Sequence, residues 1–254
     1  MKIVRRISEL QLEGEVGLVP TMGALHAGHV SLFGAARAEN ETVVASLFVN
    51  PAQFDEQSDL AAYPRDEGRD AQVAERAGVD VLFAPPVDEM YPPGFTTWVD
   101  PGDTGAEGTE RPGHFRGVAT VCLKLFTIVR PRRAYFGQKD AQQAIVVRRL
   151  VRDLNLGVQI RVLPTVRDPD GLALSSRNVR LSPAERERAL GLPRALAHAA
   201  AEADPVSAAR AELNGLDPDY VELLDLDGAA ILAAAVRVGA TRLIDNVLVK
   251  GDLS

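Results

Sequence analysis

Pro20-Thr21-Met22-Gly23-Ala24-Leu25-His26-Ala27-Gly28-His29 is the stretch on which the fold turns. Just before it, Val16 to Pro20 is a short apolar run closed by a proline, which reads as a buried strand. Just after it, a helix is predicted from Gly28 or His29 to about Glu39. The stretch therefore links the C-terminal end of a strand to the N-terminus of a helix, where open α/β sheets take their ligands. A helix start offers unpaired N–H groups and the positive end of the peptide dipole, both suited to phosphate. Two glycines allow the backbone to approach a nucleotide closely. His26 and His29 are one helical turn apart, so both imidazoles can face one phosphate chain and donate hydrogen bonds as charge develops there.

Outward from this stretch the pattern repeats. Thr42 to Val49 is a β-branched run closed by Asn50-Pro51, and Asp66 to Ala77 reads as a helix with Gly78 as its C-cap. Val79 to Ala84 is a third strand, and the alternation predicts a parallel sheet with helices on its faces. Residues 85 to 113 hold Pro85, Pro86, Pro92, Pro93, Pro101 and Pro112 and read as a long surface excursion with one short strand at Thr96 to Val99. A helix from Gly117 to Val129, a strand from Arg133 to Phe136, a helix from Asp140 to Leu154 and a strand from Val158 to Leu163 follow. Beyond a boundary near Pro164, Ser182-Pro183-Ala184-Glu185 is a capping box that opens a helix. Pro193 kinks or divides that helix, and strand-like runs occupy Tyr220–Leu226, Ile231–Val238 and Thr241–Val249. The expectation is an α/β fold: a Rossmann-like parallel-sheet domain over residues 1–165, a small α+β domain over 166–254, and an active site between them.

Composition narrows the function. With 254 residues, 46% hydrophobic and 25% charged, the chain has an ordinary globular balance. A net charge of −7 and no basic stripe argue against nucleic acid and anionic membrane as partners. Arg130, Arg132 and Arg133, and Arg148, Arg149 and Arg152, read as solvated faces. The single cysteine, Cys122, supports neither a disulfide nor a zinc framework. It falls on an apolar helical stripe with Val118, Val121, Leu125, Phe126 and Val129, which marks a buried core thiol. No signal-type segment opens the chain and no apolar run reaches the ~20 residues of a membrane span, which predicts a cytoplasmic enzyme. Only four of the 28 basic residues are lysine, so Lys139 stands out.

The stretch from Pro20 to His29 resembles the H-x-G-H signature of the HIGH nucleotidyltransferase superfamily, and in its extended form the pantothenate synthetase family. Other blocks agree with that family in order: Phe48-Val49-Asn50-Pro51-Ala52-Gln53-Phe54, Tyr63-Pro64-Arg65, Arg111-Pro112-Gly113-His114-Phe115-Arg116-Gly117-Val118, Gly137-Gln138-Lys139-Asp140-Ala141-Gln142-Gln143, Leu174-Ser175-Ser176-Arg177-Asn178, and Thr241-Arg242-Leu243-Ile244-Asp245-Asn246. The chain departs from the pattern in being short, and in Ala52 and Ala141, where the family often has Thr and an aromatic.

The resemblance implies a ligase that joins (R)-pantoate to β-alanine through a pantoyl-adenylate, with ATP as substrate, Mg2+ as its ion and a homodimeric state. It implies that ATP lies against Met22, Gly23, Ala24, Leu25, His26, Ala27, Gly28 and His29. Gly137, Gln138, Lys139 and Asp140 are expected there too, with Val166, Leu174, Ser175, Ser176 and Arg177. His29, His26, Lys139 and Arg177 are the implied catalytic residues, the last two neutralising departing pyrophosphate. Gln53 and Gln143 are the implied pantoate contacts, and Gln53 also the β-alanine contact; a neutral amide donates and accepts, as hydroxyls and a carboxylate require. The metal ligands are left open: Asp66 and Asp70 could help hold magnesium, but carboxylates on a helix are usually solvated, and they are not assigned. His114 and Arg116 are read either as groups that close over the site or as a structural turn before a helix. His198 is expected on the surface.

Competing readings are weaker. A small nucleotidylyltransferase shares His26 and His29 but leaves Gln53 and the Arg111–Val118 and Ser175–Asn178 blocks unexplained. A fragment of an aminoacyl-tRNA synthetase conflicts with the acidic charge. A catalytically dead nucleotide sensor conflicts with competent residues at every implied position. A metal hydrolase built on His26, His29, His114 and Cys122 fails because Cys122 lies on the apolar stripe.

Overall fold

The computed structural model describes residues 1–252 apart from Glu56, Asn214 and Asp227. They cluster into two compact units, one of Met1–Phe136 with Val146–Arg161, the other of Gly137–Ile145 with Val162–Ser254.

Six strands make the large sheet: β1 (Lys2–Val4), β2 (Val16–Thr21), β3 (Thr42–Leu47), β4 (Val81–Phe83), β5 (Arg133–Gly137) and β6 (Gln159–Leu163), in the order β1-β4-β3-β2-β5-β6. The pairs β1–β4, β4–β3, β3–β2 and β2–β5 are parallel. The chain steps from β2 outward through β3 to β4, then returns to lay β5 on the other side of β2. Strand order thus reverses at β2, and the segment leaving its C-terminal end stands at a topological switch point. Val16, Leu18 and Val19 of β2 and Val43, Val44 and Ala45 of β3 are buried without alternation, as strands covered on both faces require.

The helices are α1 (Ala27–Glu39), α2 (Gln57–Ala62), α3 (Glu67–Arg76), α4 (Val87–Met90), α5 (Ala106–Glu110), α6 (His114–Val129), α7 (Ala141–Asp153), α8 (Pro183–Ala189), α9 (Gly191–Ala199) and α10 (Pro205–Glu212). The core of the first unit joins Leu18, Val44 and Phe83 of the sheet to Phe115, Val118, Cys122, Leu125 and Phe126 of α6. Cys122 is fully enclosed, and burial pushes its thiol up to about 12, as a core thiol should be.

The excursion differs from its sequence reading. Thr96 to Val99 form no strand; α4 and α5 lie within the segment instead. Its order comes from side chains: Tyr91, Phe95 and Trp98 pack ring on ring with centroids 5.1 to 5.8 Å apart. The Val99 N–H donates to Thr120 Oγ1 at 3.0 Å instead of to a neighbouring strand. The edge strand β1 has no counterpart in the sequence reading, because three residues are too few to show a period.

In the second unit β7 (Asp217–Leu226), β8 (Ala229–Val238) and β9 (Thr241–Lys250) form an antiparallel sheet in that order. Leu232, Val236 and Leu243 of the sheet share a core with Leu192 and Leu196 of α9 and with Leu213. The capping box is present: Ser182 N–H donates to Glu185 Oε2 at 2.9 Å and Glu185 N–H to Ser182 Oγ at 3.3 Å. Pro193 divides the helix, falling in the first turn of α9 where a missing N–H costs nothing. Among the described residues no helix is long and apolar enough to cross a membrane.

Candidate active site

Thr21 closes β2 by two bonds to Ser46 of β3, its N–H to Oγ at 3.2 Å and its Oγ1–H to the carbonyl at 2.7 Å. The chain then turns through left-handed backbone at Gly23 (φ 89°) and Ala24 (φ 51°). Such a turn exposes successive N–H groups, and here a buried carboxylate takes them. Asp70, on α3 and 2% exposed, accepts from Ala24 N–H and Leu25 N–H, each at 2.8 Å. A Cβ on Gly23 would stand 2.8 Å from Asp70 Oδ2 and 2.9 Å from a Leu47 methyl, so glycine is required by both its φ and its surroundings. Asp70 is therefore no solvated helix carboxylate. Asp66 caps α3 by accepting from Arg69 N–H at 3.0 Å.

At the start of α1 the two histidines close a reciprocal cap. His26 Nδ1 accepts from Gly28 N–H at 3.1 Å, and His29 Nδ1 accepts from His26 N–H at 3.2 Å. The ring centroids are 4.2 Å apart. A neutral imidazole whose Nδ1 accepts must carry its proton on Nε2. The backbone thus sets one tautomer in both rings, each with an Nε2–H donor. Gly28 leaves room for this arrangement: a Cβ there would stand 2.8 Å from His26 Cε1.

Gln53 lies in the same unit, in a short 3-10 turn after β3 capped by Asn50. Its Nε2 donates to Met22 Sδ at 3.0 Å and its Oε1 accepts from Asn50 Nδ2 at 3.1 Å. The structure thereby brings Gln53 to the Met22–His29 segment. The turn rests on the start of α6. Its Gln53 carbonyl accepts from His114 Nδ1 at 2.8 Å and from an Arg111 NH2 group at 3.2 Å, and Asn50 Nδ2 donates to the Gly117 carbonyl at 3.1 Å. A Cβ on Gly117 would lie 2.2 Å from the Ala52 carbonyl oxygen, so the helix meets the turn backbone to backbone. Burial, and then the Arg111 charge, push His114 down to about 4. It is neutral at physiological pH, with the proton on Nδ1 and with Nε2 accepting from Arg111 at 3.2 Å. His114 is thus a seat for Gln53. Arg116 stacks over the Trp98 ring, 4.6 Å from its centroid. Tyr91, whose hydroxyl donates to Asn50 Oδ1 at 2.9 Å, is raised above its ordinary pKa chiefly by burial.

The remaining expected residues belong to the second unit. Gln138–Asp140 form a 3-10 turn leading into α7, which carries Gln143 half-buried. Lys139 Nζ is 3.9 Å from Asp140 Oδ2. Leu174 N–H donates to the Val166 carbonyl at 3.0 Å, which sets those two residues side by side. Ser175 caps the turn Ser176–Arg180 by accepting from Arg177 N–H at 3.2 Å. His198 is exposed and paired with Glu212.

A family model described as pantoate-beta-alanine ligase matches residues 1–248. The chain belongs to the pantoate-β-alanine ligase family. It is an enzyme that ligates pantoate to β-alanine. The pantothenate synthetase of Roseiflexus sp. strain RS-1 is 51% identical over 277 aligned residues, covering 98% of this chain and 100% of that protein. That of Corynebacterium glutamicum strain R is 52% identical, covering 91% and 92%. The crystal structure of pantothenate synthetase from Thermus thermophilus matches with a TM-score of 0.93 at 45% identity, over 99% of this chain and 100% of that one. The pantoate-β-alanine ligase of Francisella tularensis, solved with β,γ-ATP and β-alanine, matches with a TM-score of 0.85 at 36% identity over 100% of both chains.

Three features of this ligase escaped the sequence reading. Asp70 did, because a helix carboxylate is ordinarily solvated. His114 did in part, since a structural turn before a helix was one of its two readings but its support of the Gln53 carbonyl was not seen, and Gly117 was visible only within its motif. The signal for both was the dense spacing of polar and glycine residues just before an apolar helix.

Proposed function

We propose that the chain makes pantothenate in two half-reactions on ATP. In the first, a pantoate carboxylate oxygen attacks the α-phosphorus, the bond from that phosphorus to the β-phosphate oxygen breaks, and diphosphate leaves. In the second, the β-alanine amine attacks the acyl carbon of the pantoyl-adenylate, the acyl C–O bond breaks, AMP leaves, and the amine proton passes to solvent. The observation that carries this reading is the pair of Nε2–H donors fixed by the backbone at the N-terminus of α1. Donors whose tautomer is set before charge develops need less reorganisation when it does, and the helix dipole adds to them.

His29 and His26 stabilise the phosphate charge, and Lys139 and Arg177 neutralise diphosphate as it departs. Met22–His29, Gly137–Asp140, Val166 and Leu174–Arg177 hold ATP, with Ser175 and Ser176 supplying hydroxyls. Gln53 and Gln143 read pantoate, and Gln53 also takes β-alanine. Magnesium arrives on the phosphates of ATP. Among the described residues no group of three or more His, Cys, Asp or Glu could hold a metal ion, and the ligands of the magnesium are unassigned. The enzyme works in the cytoplasm as a homodimer. Residues 1–165 form its nucleotide- and pantoate-binding domain, and 166–254 the smaller α+β domain.

The test is exchange of labelled diphosphate into ATP. Pantoate alone should support it. Exchange that needs β-alanine as well would overturn the adenylate and point to a concerted reaction.

A further inference from the structure

We propose that Asn246 is a positioning residue for Lys139, acting through the backbone of the turn that carries it. The inference rests on Lys139 being the group that neutralises departing diphosphate. On β9, side chains alternate between faces: Leu243 packs in the core of the second unit, and Asp245 shares its face. Asn246 points the other way, which on an edge strand is ordinarily toward solvent. It is nonetheless 2% exposed. What meets it there is the turn Gln138–Asp140, and three hydrogen bonds join them. Asn246 Nδ2 donates to the Gln138 carbonyl at 2.8 Å and to the Lys139 carbonyl at 2.9 Å, and its Oδ1 accepts from Gln138 Nε2 at 3.1 Å.

A short side chain that supplies two donors and an acceptor from one planar group is an asparagine amide. The two carbonyls it grips flank the Lys139 Cα, so the origin of the Lys139 side chain is held while the ammonium stays adjustable. The neighbouring Asp245 carries a parallel duty. Its carboxylate, buried on the other face, takes a bidentate pair from Arg167 at 2.6 and 3.0 Å, and Arg167 adjoins Val166, which is bonded to Leu174. Two consecutive residues of one strand thus fix both nucleotide segments of this unit. The Thr241–Asn246 block, which the proposed chemistry otherwise leaves without a purpose, gains one.

The experiment is a double-mutant cycle on pantoate-dependent diphosphate exchange, run at enzyme concentrations that make residual rates measurable, with thermal unfolding of every variant. Asn246→Asp keeps the size of the side chain but turns an oxygen toward the two carbonyls. It should lower the exchange rate at least tenfold when Lys139 is present and less than twofold when Lys139→Ala is already in place, because the cycle isolates what passes through the lysine. Equal losses in both backgrounds would show a general structural role and overturn the inference. So would a parent-like rate for Asn246→Asp beside a slow Lys139→Ala. A parent-like rate for Lys139→Ala would instead refute the role given to Lys139, and this inference with it. If Asn246→Asp does not fold, Asn246→Ser, whose hydroxyl keeps one donor, carries the same cycle with the same criteria.

Discussion

Replacing Asp70 by asparagine tests whether the Met22–His29 loop is held from below. The two carboxylate oxygens accept the Ala24 and Leu25 N–H groups at 2.8 Å each, in a spot shielded from water. Hydrogen bonds to a charged group contribute roughly 1.5–3 kcal/mol each, and a buried donor left unsatisfied costs roughly 1–3 kcal/mol. Asparagine keeps one acceptor, without its charge, and turns an NH2 toward the other N–H. Weakening one bond from charged to neutral costs about 1 kcal/mol and leaving the other donor unsatisfied about 1–3 kcal/mol, a sum of about 2–4 kcal/mol. The loop can escape part of that loss by relaxing, since Ala24 sits at φ 51°, where a residue with a Cβ is strained. The loss therefore divides between global stability and the placement of His26 and His29, and a displacement near 1 Å at a reacting centre is worth about a hundredfold in rate. Denaturant unfolding and diphosphate exchange, measured on the same preparation, read both parts. The control is Asp66→Ala, which removes only an N-cap on the same helix and should cost about 1 kcal/mol of stability with exchange unchanged. An Asp70→Asn enzyme that unfolds within about 0.5 kcal/mol of the parent and exchanges at the parent rate would refute the argument.

Gly117→Ala puts a methyl 2.2 Å from the Ala52 carbonyl oxygen and 2.7 Å from Gln53 N, atoms of backbone that cannot swing aside. Overpacking of this kind costs ~1–3 kcal/mol, and the displaced turn should raise the pantoate KM more than the ATP KM in steady-state assays. His114 has its pKa lowered to about 4 in the fold, against ~6.5 unfolded. The unfolded state binds more protons between those values, so stability is full above about pH 6.5 and falls as the pH drops toward 4. Urea titrations should show about 2 kcal/mol lost from pH 7 to pH 5 through this residue, and His114→Gln should lack that component. His29→Ala should lower turnover on the order of a hundredfold with a smaller change in the ATP KM, while His198→Ala, on an exposed residue paired with Glu212, should be silent. Gln143→Leu should raise the pantoate KM, spare ATP binding, and narrow the preference for pantoate over an analogue lacking a hydroxyl.

Much of the architecture was legible because its signals are local. Val16 to Pro20 and Thr42 to Val49 read as buried strands from continuous apolar and β-branched runs, and Ser182–Glu185 as a helix start from its capping pattern. The excursion at 85 to 113 misled for the complementary reason. Thr96 to Val99 has strand-forming residues, yet among the described residues no strand pairs with it, and ring packing with one bond to Thr120 holds it instead. Cys122 was placed correctly because helical periodicity alone puts it on the apolar stripe.

The sequence by itself determined the α/β class, the strand-to-helix link that opens α1 and the family, since each is written in contiguous residues whose spacing carries the physics. Only the tertiary structure decided why those residues are poised. Asp70 reaches the Ala24–Leu25 turn, His114 and Gly117 seat Gln53, and Asn246 grips the turn of Lys139. In each case a buried backbone N–H or carbonyl finds its partner from a distant part of the chain. Burial makes such a partner necessary, but no local pattern says which residue supplies it.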